Sequence, residues 1–359
     1  MILTSDFNPK LGAQNLLVEA MKVSSGDSIV IMTEDVGAGV YDSLATKCIE
    51  QEARKMGLEV DVITVSARAN LEDLPDPVVS KMMNADGVLF QSGLGDRLRF
   101  SKIEGMPNVT VSYALDVGIL GGHACTVSHQ FLRSIQRVYE QKTSKANEWH
   151  VTCPLGTNIR GTQVDDAIGA PDFTVTRFPL CAPRPVSCST ASGVVAVARC
   201  LISTSNRLYE DDVVMLDETL MVTIEMGQIV DVQGNRQSRE KFLDHYQRIG
   251  SLFSMKNPMQ INSWHAGMNP GLYYPYDAES NPDRWGKVVF ANPRFLHFHT
   301  CGDADPGEIS WSLIDASVSF DDEFYWQDGQ LRFLEHPEFK ALMPNGNSLK
   351  VFTDIGVGY

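Results

Sequence analysis

Histidine is concentrated in one short stretch of this sequence. Three of the eight histidines lie between residues 262 and 315, at His265, His297 and His299. Acidic side chains follow the last of them, at Asp303, Asp305 and Glu308. Neutral imidazole nitrogens and carboxylate oxygens are ligands that iron, zinc and manganese take in proteins. The stretch therefore predicts a metal site that performs chemistry on a small polar substrate.

The spacing of these histidines indicates how they would converge. Residues 295–299 are predicted to form a strand, and residues two apart on a strand point to the same face. His297 and His299 could therefore both be ligands, or one could be the ligand and the other a catalytic acid–base residue. His265 is predicted to end another strand and to open a glycine-rich turn, where a substrate could approach the backbone closely.

Two kinds of metal chemistry are compatible with these residues. Two imidazoles and one carboxylate form the facial triad of non-haem iron(II) oxygenases, which leaves positions open for a substrate and dioxygen. The same ligands could hold zinc or manganese and activate a water molecule for hydrolysis or deamination. The alternative without chemistry is that these are ordinary surface and turn residues.

Substrate-binding and further catalytic residues are predicted on similar grounds. Aromatic side chains that could wall a pocket lie near His265, at Trp264, Tyr273, Tyr274 and Tyr276. Packing in the core is the alternative role for each of them. Arg177 or Arg160 could clamp a substrate carboxylate through two parallel hydrogen bonds, or make surface salt bridges instead. His123, after the glycine-rich segment 118–122, is a candidate for catalytic proton transfer, with helix capping or packing as the alternative.

The N-terminal part of the chain alternates predicted strands with predicted helices. Short apolar runs predict strands at 29–32, 60–65, 87–91 and 109–113, with helices at 42–56 and 77–84 between them. This order predicts a parallel sheet with helical crossovers, so we expect residues 1–145 to form a three-layer, Rossmann-like α/β domain. The loop after the first strand lacks the Gly-x-Gly-x-x-Gly spacing, which disfavours dinucleotide binding.

Beyond residue 148 the pattern changes to short strands spaced by turn residues, which is typical of antiparallel sheets. Such runs lie at 173–178, 194–201, 213–216, 221–224, 228–232, 259–264, 288–290, 295–299, 309–313 and 317–320. We therefore predict a second, α+β domain over residues 146–359, rich in antiparallel and mixed strands, and we expect it to carry the metal site.

Composition and charge argue against several classes of function. The 45 acidic and 30 basic residues give a net charge of −15, which does not provide the basic footprint of a nucleic-acid partner. The sequence has neither an apolar run of about 18 residues nor a secretory signal, so we expect no membrane partner and a cytoplasmic location. The seven cysteines include no Cys-x-x-Cys, which argues against a disulfide framework or a zinc ribbon.

Three sequence motifs resemble those of the aminopeptidase T-like metalloproteins. Residues 149–158 (WHVTCPLGTN) resemble the V-T-x-x-G-T-D/N strand and turn of that family, and residues 222–234 (VTIEMGQIVDVQG) resemble its T-I-E-x-G-x-I-x-x-I-x-G hairpin. Residues 265–270 (HAGMNP) resemble its ligand turn, of the form E/H-x-G-x-G-x-N-P. The branch with histidine at this turn is similar to 2,5-dihydroxypyridine 5,6-dioxygenase, an iron(II) ring-cleaving enzyme, whereas the aminopeptidase branch has glutamate there.

The resemblance implies a set of metal ligands. His265 matches the histidine ligand of the dioxygenase branch, whose other two ligands form a His-x-Asp pair on a late strand. The matching positions in this sequence are Glu308 and Ser310, so the chain departs from that pattern. A rearranged triad of His265, His299 and Glu308 would restore two imidazoles and one carboxylate, with His297 as the substitute for His299. Loss of the metal is the competing outcome.

The principal hypothesis is a mononuclear, iron(II)-dependent dioxygenase of the extradiol type. It would cleave the ring of a small hydroxylated aromatic or N-heterocyclic, pyridine-type compound, with zinc or manganese as the alternative metals. The other hypotheses are a metal-dependent hydrolase, deaminase or aminopeptidase of the same superfamily, and a non-enzymatic binding protein on a degenerate scaffold. The resemblance also implies a homodimer.

Overall fold

The chain divides into two compact units, each described here by itself. The first comprises Met1–Ser134 and Gly169–Cys181, and the second comprises Ile135–Ile168 and Ala182–Tyr359. The computed structural model describes residues 7–35, 37, 39–99, 105–164, 175–179, 182–203, 209–301, 308–342 and 356–358. Within these ranges no helix is long and apolar enough to cross a membrane.

The secondary structure of the described residues consists of short strands and helices. The strands are β1 (Ser28–Glu34), β2 (Glu59–Val65), β3 (Gly87–Gln91), β4 (Asn108–Ser112), β5 (Glu148–Thr152), β6 (Asn158–Thr162), β7 (Thr176–Phe178), β8 (Val186–Ser187), β9 (Ser192–Val197), β10 (Cys200–Ser203), β11 (Val213–Met215), β12 (Leu220–Glu225), β13 (Gln228–Gln233), β14 (Ile261–Ala266), β15 (Phe295–Thr300), β16 (Ile309–Ile314), β17 (Ser317–Phe320), β18 (Glu323–Gln327) and β19 (Gln330–Leu331). The α-helices are α1 (Pro9–Gln14), α2 (Ser43–Lys55), α3 (Asp76–Asn84), α4 (Val117–Gly121), α5 (His123–Thr126), α6 (His129–Thr143), α7 (Arg236–Leu252), α8 (Pro282–Val289) and α9 (Pro337–Lys340).

The first unit is built on a five-stranded sheet in the order β2-β1-β3-β4-β7, in which all pairs are parallel. β3 is buried at every position, as expected of a strand with both faces covered. Helix α2 connects β1 to β2, and α3 lies between β2 and β3, so that each next strand runs parallel to the last. Asp42 caps α2 by accepting a hydrogen bond from Leu44 N at 2.7 Å. The predicted α/β architecture with a parallel sheet is therefore confirmed.

One strand that we predicted for the second domain belongs to the first sheet. The described part of the run 173–178 is β7, which pairs in parallel with β4 through Thr110–Thr176 and Ser112–Phe178. The single boundary predicted between residues 145 and 146 divides the chain into consecutive segments. In the structure β7 belongs to the sheet of the first unit, although it follows β5 and β6 on the chain.

The second unit contains two antiparallel sheets. One has six strands in the order β11-β10-β16-β15-β14-β8, and the other has eight in the order β13-β12-β9-β6-β5-β17-β18-β19. The sheets pack together through buried aromatic rings. Trp264 of β14 lies edge-to-face on Trp149 of β5, with ring centroids 5.5 Å apart, and also contacts Phe320 of β17 at 6.1 Å. The predicted antiparallel character of this part of the chain is confirmed.

The strand predicted at 288–290 is wrong, because Val288 and Val289 end helix α8 and Phe290 is its C-cap. The Asn281 side chain caps this helix by accepting from Arg284 N at 3.1 Å, and Pro282 occupies its first turn. These helix-starting residues prevail over the strand preference of Val288 and Val289.

Candidate metal centre

Two neighbouring strands of the six-stranded sheet place three histidines on one face. His265 lies in β14 and pairs directly with His297 of β15, while His299 pairs with Ser263. Directly paired residues share a face, and so do residues two apart on one strand. All three imidazoles therefore project from the same side of the sheet. Trp264, between two of the face's residues on β14, projects to the opposite side.

The three imidazoles form a tight, buried cluster. Each of His265, His297 and His299 is 2 % exposed. One nitrogen from each ring can be chosen so that all three lie within 4.8 Å of one another. The structure thus brings together His265 and His299, both predicted as ligands, with His297, predicted as a catalytic residue or substitute ligand. The cluster is the group of residues that could hold a metal ion within the described part of the chain.

Two acceptors outside the cluster decide which nitrogen of each ring carries a proton. His265 Nδ1 lies 3.1 Å from the carbonyl oxygen of Pro183, and His299 Nδ1 lies 3.2 Å from Glu308 Oε2. A carbonyl and a carboxylate accept hydrogen bonds, so Nδ1 of each ring is the protonated nitrogen that donates. In the neutral form of each ring the lone pair is then on Nε2.

These two lone pairs meet at the centre of the cluster. His265 Nε2 and His299 Nε2 are 3.1 Å apart. Two lone pairs cannot face each other at this distance without repulsion, which either a second proton on one ring or a cation between the nitrogens relieves. Two nitrogen ligands of one metal, with bonds of about 2.0–2.2 Å, lie about 3 Å apart. The spacing of these two nitrogens and the burial of their rings therefore fit a divalent transition metal.

Glu308 occupies a different place from the predicted one. We expected its carboxylate to complete a triad with His265 and His299, but its oxygen contacts the nitrogen of His299 that points away from the cluster. A carboxylate in that position orients the ring and raises its basicity instead of supplying a ligand. The other predicted carboxylates, Asp303 and Asp305, lie outside the described residues. Among the described residues, the group that could hold a metal is thus three imidazoles, with Glu308 behind one of them.

Aromatic rings that we did not predict pack against the histidines. Phe290, at the end of α8, has its ring centroid 4.5 Å from that of His297 and 5.1 Å from that of His265. Phe295 lies 5.6 Å from His297. These rings give the cluster an apolar wall. The cap and proline at the start of α8 could have revealed the helix, but the sequence carries no signal for where its last residue would pack.

The predicted substrate-binding and catalytic residues outside the cluster lie in both units. Trp264 is fully buried between the two sheets, on the face opposite to His265, so it cannot wall a pocket together with that histidine. Tyr273 is half-buried in the connection after β14. Arg177 lies on β7 and His123 on α5, both in the first unit. Their predicted roles in substrate binding and catalysis stay predictions.

The glycine-rich turn after His265 serves the protein's own backbone. A Cβ atom on Gly267 would overlap the backbone carbonyl groups of Ala291 and Asn292. Gly267 also donates its N–H to Phe295 O at 3.1 Å and accepts from Trp326 Nε1 at 3.0 Å. The close approach that we predicted for a substrate at this residue is instead made by the segment between α8 and β15.

Cys301 follows the cluster on the chain and is not among the three residues that could share a metal ion. It is fully buried, with its Sγ atom 3.7 Å from Met255 Sδ. Burial, together with the negative charge of Glu308, raises the pKa of the Cys301 thiol to about 12. With no ion bound, the thiol therefore stays protonated at neutral pH, and a protonated thiol is a poor nucleophile.

Comparison with known proteins shows the fold. No protein-family model matches the sequence. No curated protein matches it either. A solved structure of a 2,5-dihydroxypyridine dioxygenase from Pseudomonas putida superposes with a TM-score of 0.60 at 12 % sequence identity, covering 90 % of this chain and 96 % of that chain. AmpT from Thermus thermophilus superposes with a TM-score of 0.54 at 10 % identity, covering 90 % and 99 %. The aminopeptidase T-like fold implied by the sequence motifs is therefore confirmed.

Proposed function

We propose that His265, His297 and His299 bind one divalent metal ion and that the chain is a metal-dependent enzyme. The observation that carries this proposal is the 3.1 Å separation of His265 Nε2 and His299 Nε2. Because Nδ1 of each ring faces an acceptor, Nε2 is the nitrogen of each ring that can ligate. His297 supplies the third nitrogen from the same face of the sheet.

Residues around the three histidines orient the imidazole rings and limit the access of water to them. The Pro183 carbonyl and the Glu308 carboxylate each fix one ring's orientation and hold its proton on Nδ1. The rings of Phe290 and Phe295 limit the access of water to the imidazoles. The metal would supply Lewis-acid chemistry and, if it is iron(II), redox chemistry with dioxygen.

We further propose ring-cleaving dioxygenation, with iron(II) as the metal and a small hydroxylated aromatic or N-heterocyclic compound as the substrate. The fold likeness to a dioxygenase supports this choice. The aromatic side chains beside the histidines also support it, since flat apolar rings stack favourably on a flat substrate. Zinc and manganese are the alternative metals.

The ligand set also favours a second candidate, a metal-dependent hydrolase. Three histidines hold the zinc of some enzymes that activate water, whereas a facial triad includes a carboxylate. The fold likeness to AmpT points the same way. In this candidate the residues named above keep their roles as ligands and orienting groups, and dioxygen is not consumed.

Metal reconstitution separates these candidates. Metal-free protein would be loaded anaerobically with iron(II), zinc(II) or manganese(II), and the bound metal counted by elemental analysis. Oxygen uptake would then be measured with hydroxylated pyridines and catechols, and hydrolysis with peptide and amide substrates under argon. His265→Ala and His299→Ala should each lose the metal. His150→Ala is the matched control, because His150 also has a side-chain partner, Asn158 Oδ1 at 2.8 Å, but lies outside the cluster.

The outcomes differ clearly. Uptake of one dioxygen per ring opened, with iron only, supports the dioxygenase. Turnover under argon supports the hydrolase and refutes the dioxygenase. A wild-type protein that retains none of the three metals refutes a metal-dependent function altogether.

A further inference from the structure

Two side chains on α6, Gln136 and Glu140, hydrogen-bond to the residues on either side of Pro183, whose carbonyl group faces His265 Nδ1. Gln136 Nε2 donates to Ala182 O at 3.1 Å and to Glu140 Oε1 at 2.9 Å. Glu140 Oε1 also accepts from Arg184 N at 3.0 Å. Gln136 and Glu140 are one helical turn apart, so they face the 182–184 segment together. They hold the residues immediately before and after Pro183.

Pro183 depends on these neighbours for its position. It has no backbone N–H, so it contributes only its carbonyl oxygen to hydrogen bonding. That oxygen is the acceptor for His265 Nδ1 at 3.1 Å. Both Pro183 and His265 are buried, so water has little access with which to replace the bond. A displacement of the 182–184 segment would therefore remove the group that keeps the proton on His265 Nδ1.

We infer that Glu140 is a positioning residue of the metal centre, acting through Arg184 N and the Pro183 carbonyl on the tautomer of His265. Without this restraint His265 can place its proton on Nε2, and that tautomer has no lone pair directed at the cluster. The apparent metal affinity then falls in proportion to the population of the competent tautomer. The effect on affinity rests on the proposed function, whereas the effect on the tautomer can be measured without metal.

The surroundings of Glu140 make the test practicable. Glu140 and Arg184 line a cavity of about 360 Å³. A shortened side chain at position 140 would leave room that water can fill, so the helix need not collapse onto the segment. Glu140→Ala removes the acceptor, whereas Glu140→Gln keeps an amide oxygen that can accept from Arg184 N. Gln136→Met, similar in size to the wild-type side chain, removes the donor to Ala182 O.

The experiment combines a tautomer measurement with a metal titration. Nitrogen-15 NMR of histidine-labelled, metal-free protein at a pH of about 8 reports the protonated nitrogen of His265, assigned with His265→Gln. Zinc(II) and cobalt(II) affinities are measured by competition with a coloured chelator. Glu338→Ala is the matched control, because Glu338 is a carboxylate that contacts α6 through Lys142 at 3.0 Å and lies away from the 182–184 segment in sequence and bonding.

We expect wild type and Glu140→Gln to show the Nδ1–H tautomer, and Glu140→Ala and Gln136→Met to show a mixture. We expect metal affinity to fall about 10-fold in the last two, at the low end of the effect of groups behind a ligand. An unchanged tautomer in Glu140→Ala overturns the inference, as does an equal change in Glu338→Ala. A tautomer change in protein that binds no metal sustains the role of Glu140 in orienting His265 but refutes the proposed function.

Discussion

The Glu308–His299 contact provides the most direct test of how the centre is tuned. Glu308 Oε2 lies 3.2 Å from His299 Nδ1, and the two side chains are 13 % and 3 % exposed. Glu308→Gln removes the negative charge but keeps an oxygen that can accept the Nδ1–H bond. Groups behind a metal ligand typically change metal affinity by about 10–100-fold. We therefore expect Glu308→Gln to weaken zinc or iron binding by about 1.4–2.7 kcal/mol, the same range expressed as free energy.

Glu308→Ala should add a second, separable effect. It leaves the Nδ1–H donor of His299 without this acceptor, and a buried donor that loses its partner costs about 1–3 kcal/mol. Because the His299 side chain is 3 % exposed, water reaches the vacated position poorly, and we expect the upper part of that range. This loss should appear in the free energy of unfolding of metal-free protein, where Glu308→Gln should be close to wild type.

Two assays and one control make the reasoning refutable. Chelator competition gives the metal affinities, and urea denaturation gives the stabilities. Glu323→Gln is the control, since Glu323 Oε1 lies 3.3 Å from His336 Nδ1 in another carboxylate–histidine pair of the same unit. If Glu308→Gln binds metal as tightly as wild type, or if Glu323→Gln weakens binding equally, the carboxylate does not act through His299.

Three further outcomes are expected. Metal at about 100 times its dissociation constant should stabilise wild type by about 2.7 kcal/mol and so raise its melting temperature in calorimetry. His297→Ala should abolish this rise, and an undiminished rise would remove His297 from the ligand set. Gly267→Ala should lower the free energy of unfolding by about 3 kcal/mol, because its Cβ would overlap the Ala291 backbone; near wild-type stability in urea would show that this segment yields. Burial lowers the pKa of His129 from 6.5 to about 4, so the unfolded chain binds more protons between these values and stability falls as the pH drops through them. The stability advantage of wild type over His129→Asn should therefore shrink by about 2 kcal/mol between about pH 7 and pH 5, and parallel stability curves would contradict the shifted pKa.

The parts of the site that follow from local rules were predictable from the sequence. The alternation of a strand places His297 and His299 on one face, and the structure has them there. The pairing of His265 with His297 was not predictable, because β14 and β15 are joined by a long connection that contains α8 rather than by a tight turn. Only a tight turn fixes register locally, and a slip of one residue would have turned His265 to the opposite face.

Longer-range packing accounts for the predictions that differ from the structure. Residues 288–290 are apolar and β-branched in part, which favours a strand locally, but the cap at Asn281 and the proline after it start a helix that includes them. β7 is three residues long and joins a sheet whose other strands lie at least 60 residues earlier. Pro183 acts through a backbone carbonyl, and a backbone group has no residue type by which a sequence could reveal it.

The side of His299 on which Glu308 lies determines the net charge of the ligands in the proposed centre. Had Glu308 faced the cluster, the ligand set would have been two imidazoles and a carboxylate, with one negative charge among the ligands. In the structure the carboxylate lies on the far side of His299, so the nitrogen ligands are all neutral and most of the charge of a divalent ion remains to be balanced by another group. A substrate that ionises, such as a hydroxylated aromatic or heterocyclic acid, can supply that charge. The place of Glu308 therefore links the ligand geometry to the substrate class that we propose.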